Sequence, residues 1–116
     1  MALICAQLEQ HGSVAVAHVS VEQLTHLDMQ EVAVELMEKV RYAGTHHLVI
    51  DVTPVQFMAS ACLGVLVGLM QDIEPHKGRL ALAGCTPNVA FLFKVTRLDQ
   101  VIPLFDDVET AVAEFK

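Results

Sequence analysis

Apolar runs alternating with helix-spaced segments predict an α/β fold: a mostly parallel sheet with an N-terminal antiparallel hairpin, in the order β-β-α-β-α-β-α-β-α. Three observations predict it. The runs His47–Val52 and Arg79–Ala83 are short, apolar and uninterrupted, as strands buried on both faces are. Between such runs lie segments whose apolar residues recur at helical spacing. The first two strand-like runs are separated only by a short turn, which favours a hairpin. At 116 residues, with no linker, repeat or low-complexity tract, the chain reads as one domain over 1–116.

Taken in order, Leu3–Leu8 reads as a strand, His11-Gly12 as a turn, and Val14, Val16 and Val19 as the inward residues of a second strand. Asp28 and Glu31 have the spacing of a capping box. Behind them Met29, Val32, Ala33, Leu36, Met37 and Val40 share one helical face, and Gly44 stops the helix. After the strand ending at Asp51, Ser60 reads as the cap of a helix with Leu63, Leu66, Val67, Met70 and Ile73 inward, closed by Pro75 and Gly78. Its Gly64 and Gly68 are expected to let the helix approach the sheet closely. Thr86-Pro87 places a cap before a first-turn proline, followed by Val89, Leu92, Phe93 and Thr96 on an inner stripe. Val101-Ile102 is expected as an edge strand before Pro103. Asp106 and Glu109 then form a second box before Val108, Ala111, Val112 and Phe115.

Composition excludes several functions. The chain is 53% apolar and 18% charged, enough to bury a core, which excludes disorder. Its formal charge of −7 leaves no basic excess to displace counterions from nucleic acid or to seek an anionic membrane. Val52 to Gln71 carries no charge and has the length of a membrane span, but Thr53, Pro54 and Gln56 interrupt it, so it reads as soluble core. Met1 to Gln10 lacks the basic, then apolar, pattern of a signal peptide. Three widely spaced cysteines, Cys5, Cys62 and Cys85, suit reduced thiols in the cytoplasm. Cys5 and Cys85 read as core, and Cys62, in the first turn of a helix, reads as a small buried thiol, with a redox switch as the alternative. Neighbouring strand residues point to opposite faces, so His46 and His47 do not share an ion, and the other histidines lack ligand spacing. No metal or other cofactor is expected, and enzyme signatures such as Gly-x-Ser-x-Gly are missing.

In an open α/β sheet, ligands and partners meet the carboxyl ends of strands, which directs attention to Asp51–Gly64. Here Asp51, Val52, Thr53, Val55, Phe57 and Met58, then Leu63-Gly64-Val65, resemble the STAS domain of bacterial anti-sigma factor antagonists. Gly84, Pro87 and Val89 resemble the family's Gly-x-x-Pro-x-Val segment. The resemblance extends over nearly the whole chain and is least distinct before Thr45. It implies the fold above and a non-catalytic regulatory module whose second-helix surface docks an anti-sigma factor that is also a serine kinase, or another signalling protein. Self-association stays open.

One departure bears on function. Where the family has Asp-Ser-Ser-Gly, this chain has Ala59-Ser60-Ala61-Cys62. The resemblance implies that the phosphoacceptor serine is replaced by Ala61 and its acidic neighbour by Ala59. Ser60 reads as a helix cap, with a relocated phosphoacceptor as the alternative. Thr53 reads as a turn residue; Asp51 reads either as positioning a nucleotide or as capping its own turn. The implied partner surface is Asp51, Thr53, Phe57, Met58, Ala59, Ser60, Ala61, Cys62, Leu63 and Gly64, with its apolar residues suited to a partner groove. Two other functions remain: a scaffold subunit of a STAS-based signalling complex, and a small enzyme using Cys62 as a nucleophile at a helix start.

Overall fold

The computed structural model describes residues 5–115. A five-stranded sheet carries the fold, in the spatial order β1-β2-β4-β6-β7. Its strands are β1 (Ala6–His11), β2 (Val14–Val19), β4 (His47–Asp51), β6 (Leu80–Ala83) and β7 (Leu104–Phe105). β1 and β2 form the expected antiparallel hairpin; β2–β4, β4–β6 and β6–β7 are parallel. The helices are α1 (His26–Tyr42), α2 (Ala61–Ile73), α3 (Pro87–Val95) and α4 (Val108–Phe115). Two further strands, β3 (Gln23–Leu24) and β5 (Phe57–Met58), pair in parallel as a separate two-stranded sheet.

Period-two alternation sorts the strands' side chains onto two faces. Ala15, Ala17, Leu48, Ile50, Leu80 and Leu82 join the main core with α1, α2 and α3. Val14, Val16, Val49, Ala81 and Ala83 face the other way, where Ala111, Val112 and Phe115 of α4 cover them. The central strands are therefore buried on both faces, which is why their sequences lack polar alternation. At the foot of β4, His47 stacks on Phe115 with centroids 5.0 Å apart. The Arg79 guanidinium lies 5.2 Å from the same ring.

Several boundaries differ from expectation. β1 begins at Ala6, so the hairpin turn is Gly12-Ser13, and part of the expected Leu3–Leu8 strand lies outside the described residues. The first helix starts earlier: Thr25 is its N-cap, and its hydroxyl accepts the Asp28 N–H while the Asp28 carboxylate accepts the Thr25 N–H. Asp28 is the far member of this box, not the cap. At α4, Asp107 rather than Asp106 accepts the Thr110 N–H, at 2.8 Å. Val101 and Ile102 lie in a helical turn, both donating to the Leu98 carbonyl, and the edge strand follows Pro103. The reason is local: Pro103 has no N–H, but its carbonyl accepts the Leu82 N–H and opens the pairing.

The GxxxG of α2 does not face the sheet. A Cβ built at Gly64 or Gly68 meets nothing within 4 Å. Burial of Cys62, Leu63, Leu66, Leu69 and Ile73 turns both glycines away, and Leu69 takes an inward place not assigned to it from sequence. Val67 and Met70 are only half-buried. No helix among the described residues is long and apolar enough to cross a membrane. Because Thr25 and Asp28 form the box, Thr25→Ala should lower unfolding free energy by about 1 kcal/mol. Glu31→Ala should change it by less than about 0.5 kcal/mol. Urea denaturation of the two variants measures the contrast.

Candidate functional site

β4 ends in Asp51, and both oxygens of its carboxylate are engaged. Oδ1 accepts the Thr53 backbone N–H at 3.1 Å and the Thr53 hydroxyl at 2.5 Å, an Asx turn. Oδ2 lies 2.8 Å from Nδ1 of His18 on β2. Burial alone would raise the Asp51 pKa, but the hydrogen bonds from Thr53 and His18 outweigh it and the value is lowered. The Asp51 side chain is only 15% exposed. Of the two readings of Asp51, the observed bonds are those of the turn cap.

From Val52 the chain is held by hydrogen bonds from three sides. Val52 donates to the Ala83 carbonyl of β6, and buried Val52 and Val55 anchor the segment beneath. Gln56 and Phe57 donate to the Glu22 carbonyl, and Ala59 donates to that of Leu24. The Thr86 hydroxyl donates to the Val55 carbonyl at 3.0 Å. Thr86 therefore stands at the N-cap of α3 by position but caps nothing with its side chain, as its hydroxyl braces this neighbouring segment instead. Gly84 closes the remaining side. Its φ is +72°, and a Cβ there would stand 2.2 Å from the Thr53 hydroxyl oxygen, so both backbone and space require glycine.

At the start of α2 the expected cap is not made. Ser60 has helical dihedrals, φ −58° and ψ −30°, and its side chain makes no capping bond. A capping hydroxyl reaches the next turn from an extended backbone, which Ser60 does not have. The terminal N–H groups turn to backbone instead: Cys62 donates to the Ala59 carbonyl and Leu63 to that of Ser60. Along this stretch Phe57 is 61% exposed. Ala59, Ser60, Ala61 and Gly64 are exposed too, Thr53 likewise, and Met58 is half-buried.

Two residues of the implied partner surface are interior, in keeping with the inward reading of Leu63 and the buried-thiol reading of Cys62. Leu63 is buried in the main core, and Cys62 has no exposure at all. The Cys62 thiol donates toward the Thr25 and Leu24 carbonyls, at 3.3 and 3.5 Å, tying the start of α2 to the start of α1. Burial pushes its pKa up, as it does for half-buried Cys85, which is raised to about 11. A buried thiol with a raised pKa is a poor nucleophile, which removes the basis of the enzyme reading. His46 and His47 do diverge: His46 Nδ1 meets the His76 carbonyl, while His47 Nδ1 accepts the Arg79 N–H. Among the described residues no three His, Cys, Asp or Glu side chains gather to hold a metal.

Sequence reasoning missed three contributors. His18 lies in a run read only for its valines. Leu24 and its partner β5 form strands too short to show alternation. Phe91 and Val95 sit one turn apart on α3, which packs beside β5, and are 65% and 58% exposed; two large apolar residues at i, i+4 off the inner stripe were the available signal. Given its burial, Cys62 should resist a thiol reagent at neutral pH in the native protein and react only after unfolding in urea, as read by mass spectrometry of labelled peptides.

Comparison with known proteins places this geometry. The STAS domain matches residues 6–111. The chain is 27% identical over 110 residues to the anti-sigma F factor antagonist of Paenibacillus polymyxa, covering 95% of this chain and 93% of that protein. The fold resembles an anti-sigma-factor antagonist (STAS) domain protein from Planctomyces limnophilus, with a TM-score of 0.81 and 21% identity over 96% and 97% of the two chains. It also resembles the Bacillus cell fate determinant solved in its phosphorylated form, with a TM-score of 0.73 and 18% identity over 96% and 99%. The matched span takes in both the sheet and the β4–α2 segment, so the chain belongs to the STAS-domain family, as a non-catalytic protein of the anti-sigma factor antagonist type.

Proposed function

We propose that this protein docks an anti-sigma factor of the serine-kinase kind in the cytoplasm, through the β5–α2 surface, and that phosphorylation at the family position does not switch it off. The observation that carries the reading is the side chain at the first residue of α2. Ala61 is exposed where the family resemblance expects the acceptor serine, and alanine has no oxygen to take a phosphoryl group. Ala59 likewise supplies no carboxylate beside it.

The physical consequence follows from charge. A phosphate would bring roughly −1.5 to −2 charges to the exposed helix start. The partial positive charge of the helix start would favour it, and the dianion would then repel or desolvate poorly against a partner. With Phe57, Ala59, Ala61 and Gly64 exposed instead, the surface stays uncharged and open to an apolar partner groove. Phe57 is the largest such group and the natural anchor. The similarity to an anti-sigma F factor antagonist supports this class of partner.

Incubation with the cognate kinase and ATP, followed by intact-mass analysis and a binding assay, tests the proposal. The expected result is no added phosphoryl group and retained binding. Phosphate on Ser60, which is exposed and makes no capping bond, would overturn the unswitched reading in favour of a relocated acceptor. In the same assay Phe57→Asp should weaken binding by about tenfold or more, while leaving the urea midpoint nearly unchanged because the side chain is largely in solvent.

A further inference from the structure

We propose that His18 is a positioning residue for the β4–α2 segment: it clamps Asp51 and, through Asp51, the Thr53 turn that leads to Phe57–Ala61. Its effect on docking rests on the function proposed above; its effect on the segment does not, and the test reads the free protein.

The clamp is written into the register. His18 stands directly opposite Asp51 in the last pair of the β2–β4 ladder. On its other side β1 places Glu9 opposite Val16, a diagonal neighbour of His18. The ring thus lies between two carboxylates, with Nδ1 2.8 Å from Asp51 Oδ2 and Nε2 3.3 Å from Glu9 Oε1. Glu9 also meets the His11 ring, and Glu109 of α4 lines the same hollow as His18, Glu9 and His11. The titratable groups facing His18 are therefore Glu9 and His11 from β1, Asp51 from β4 and Glu109 from α4.

A ring that faces acceptors at both nitrogens satisfies both only as the imidazolium, since the neutral form has a single N–H to give. On deprotonation it keeps Asp51 or Glu9, not both. Asp51 transmits the change, because its other oxygen already holds both the amide and the hydroxyl of Thr53. Gly84, having no side chain, leaves the space that the Thr53 hydroxyl occupies in this turn.

Burial lowers the His18 pKa, but the hydrogen bonds to Asp51 and Glu9 outweigh it and the net value is raised from 6.5. The His18 contribution is then complete below its ordinary value and lost as pH rises through the raised one. Asp51, whose value is lowered, contributes above its ordinary value and fails as pH falls through the lowered one. The clamp is tightest between the two ordinary values, in weakly acidic solution, and slackens as pH rises through the raised His18 value.

Two-dimensional NMR of the full chain, titrated from weakly acidic to weakly alkaline pH, tests the proposal. The Thr53 amide should shift with the same midpoint as the His18 ring. In Glu9→Gln both midpoints should move together to lower pH. In His18→Gln, with retention of the native core methyl spectrum confirming the fold, the Thr53 transition should disappear. A Thr53 amide that stays flat through the His18 titration, or one that titrates unaltered in His18→Gln, would overturn the proposal. A residue that merely fills space would give neither the shared midpoint nor its displacement by Glu9→Gln.

Discussion

The pairing of β4 with β2 on one side and β6 on the other is the constraint on which the rest of the molecule depends. Leu48 and Ile50 lie in one core and Val49 in the other, so β4 has no solvent-facing side along its length. A strand so enclosed meets water only at its ends, and both ends carry polar work. His47 at the foot accepts the Arg79 N–H and stacks on Phe115, which helps seat α4. Asp51 at the head receives three hydrogen bonds and directs the chain into the segment before α2. Both layers of helices and the candidate surface take their positions from this one strand.

Much of that arrangement was legible in the residues. Uninterrupted runs such as Leu48–Ile50 and Leu80–Ala83 identify doubly covered strands, and helical spacing in Met29–Val40 identifies α1. Cap positions were less legible because overlapping tetrads satisfy the same rule. Thr25 with Asp28 and Asp28 with Glu31 both have capping-box spacing, and only the backbone decides between them. The hydroxyls of Ser60 and Thr86 illustrate a second limit. Each stands at a helix start, but where a hydroxyl points depends on dihedrals and on what tertiary packing brings near. Strands of two residues, β3 and β5, are shorter than a period and leave no pattern to detect.

The candidate site separates in the same way. Exposure of Phe57, Ala59, Ser60 and Ala61 follows from their place before and at the start of α2, which the motif indicates. The inward turn of Cys62 follows from the helical phase set by Leu66 and Leu69, which the tetrapeptide alone cannot report. The Cys62 thiol, turned inward, reaches the Leu24 and Thr25 carbonyls and ties the start of α2 to the start of α1. Its neighbours Ala59, Ser60 and Ala61 face solvent instead. Interior and exposed side chains thus sit side by side within four residues.

The outer boundary of the sheet has its own consequence. β1 and β7 are its two edges, and β7 is only two residues long with Pro103 before it. β1 spans six residues, which makes it the longer template for strand addition by another copy. Its outward positions carry Gln7 and Glu9, with Gln10 and His11 beyond. A second chain adding there would strip water from the Glu9 carboxylate and bring two acidic molecules together. A charged, exposed residue such as Glu9 on an edge strand is the feature that disfavours edge-to-edge growth of a continuous sheet.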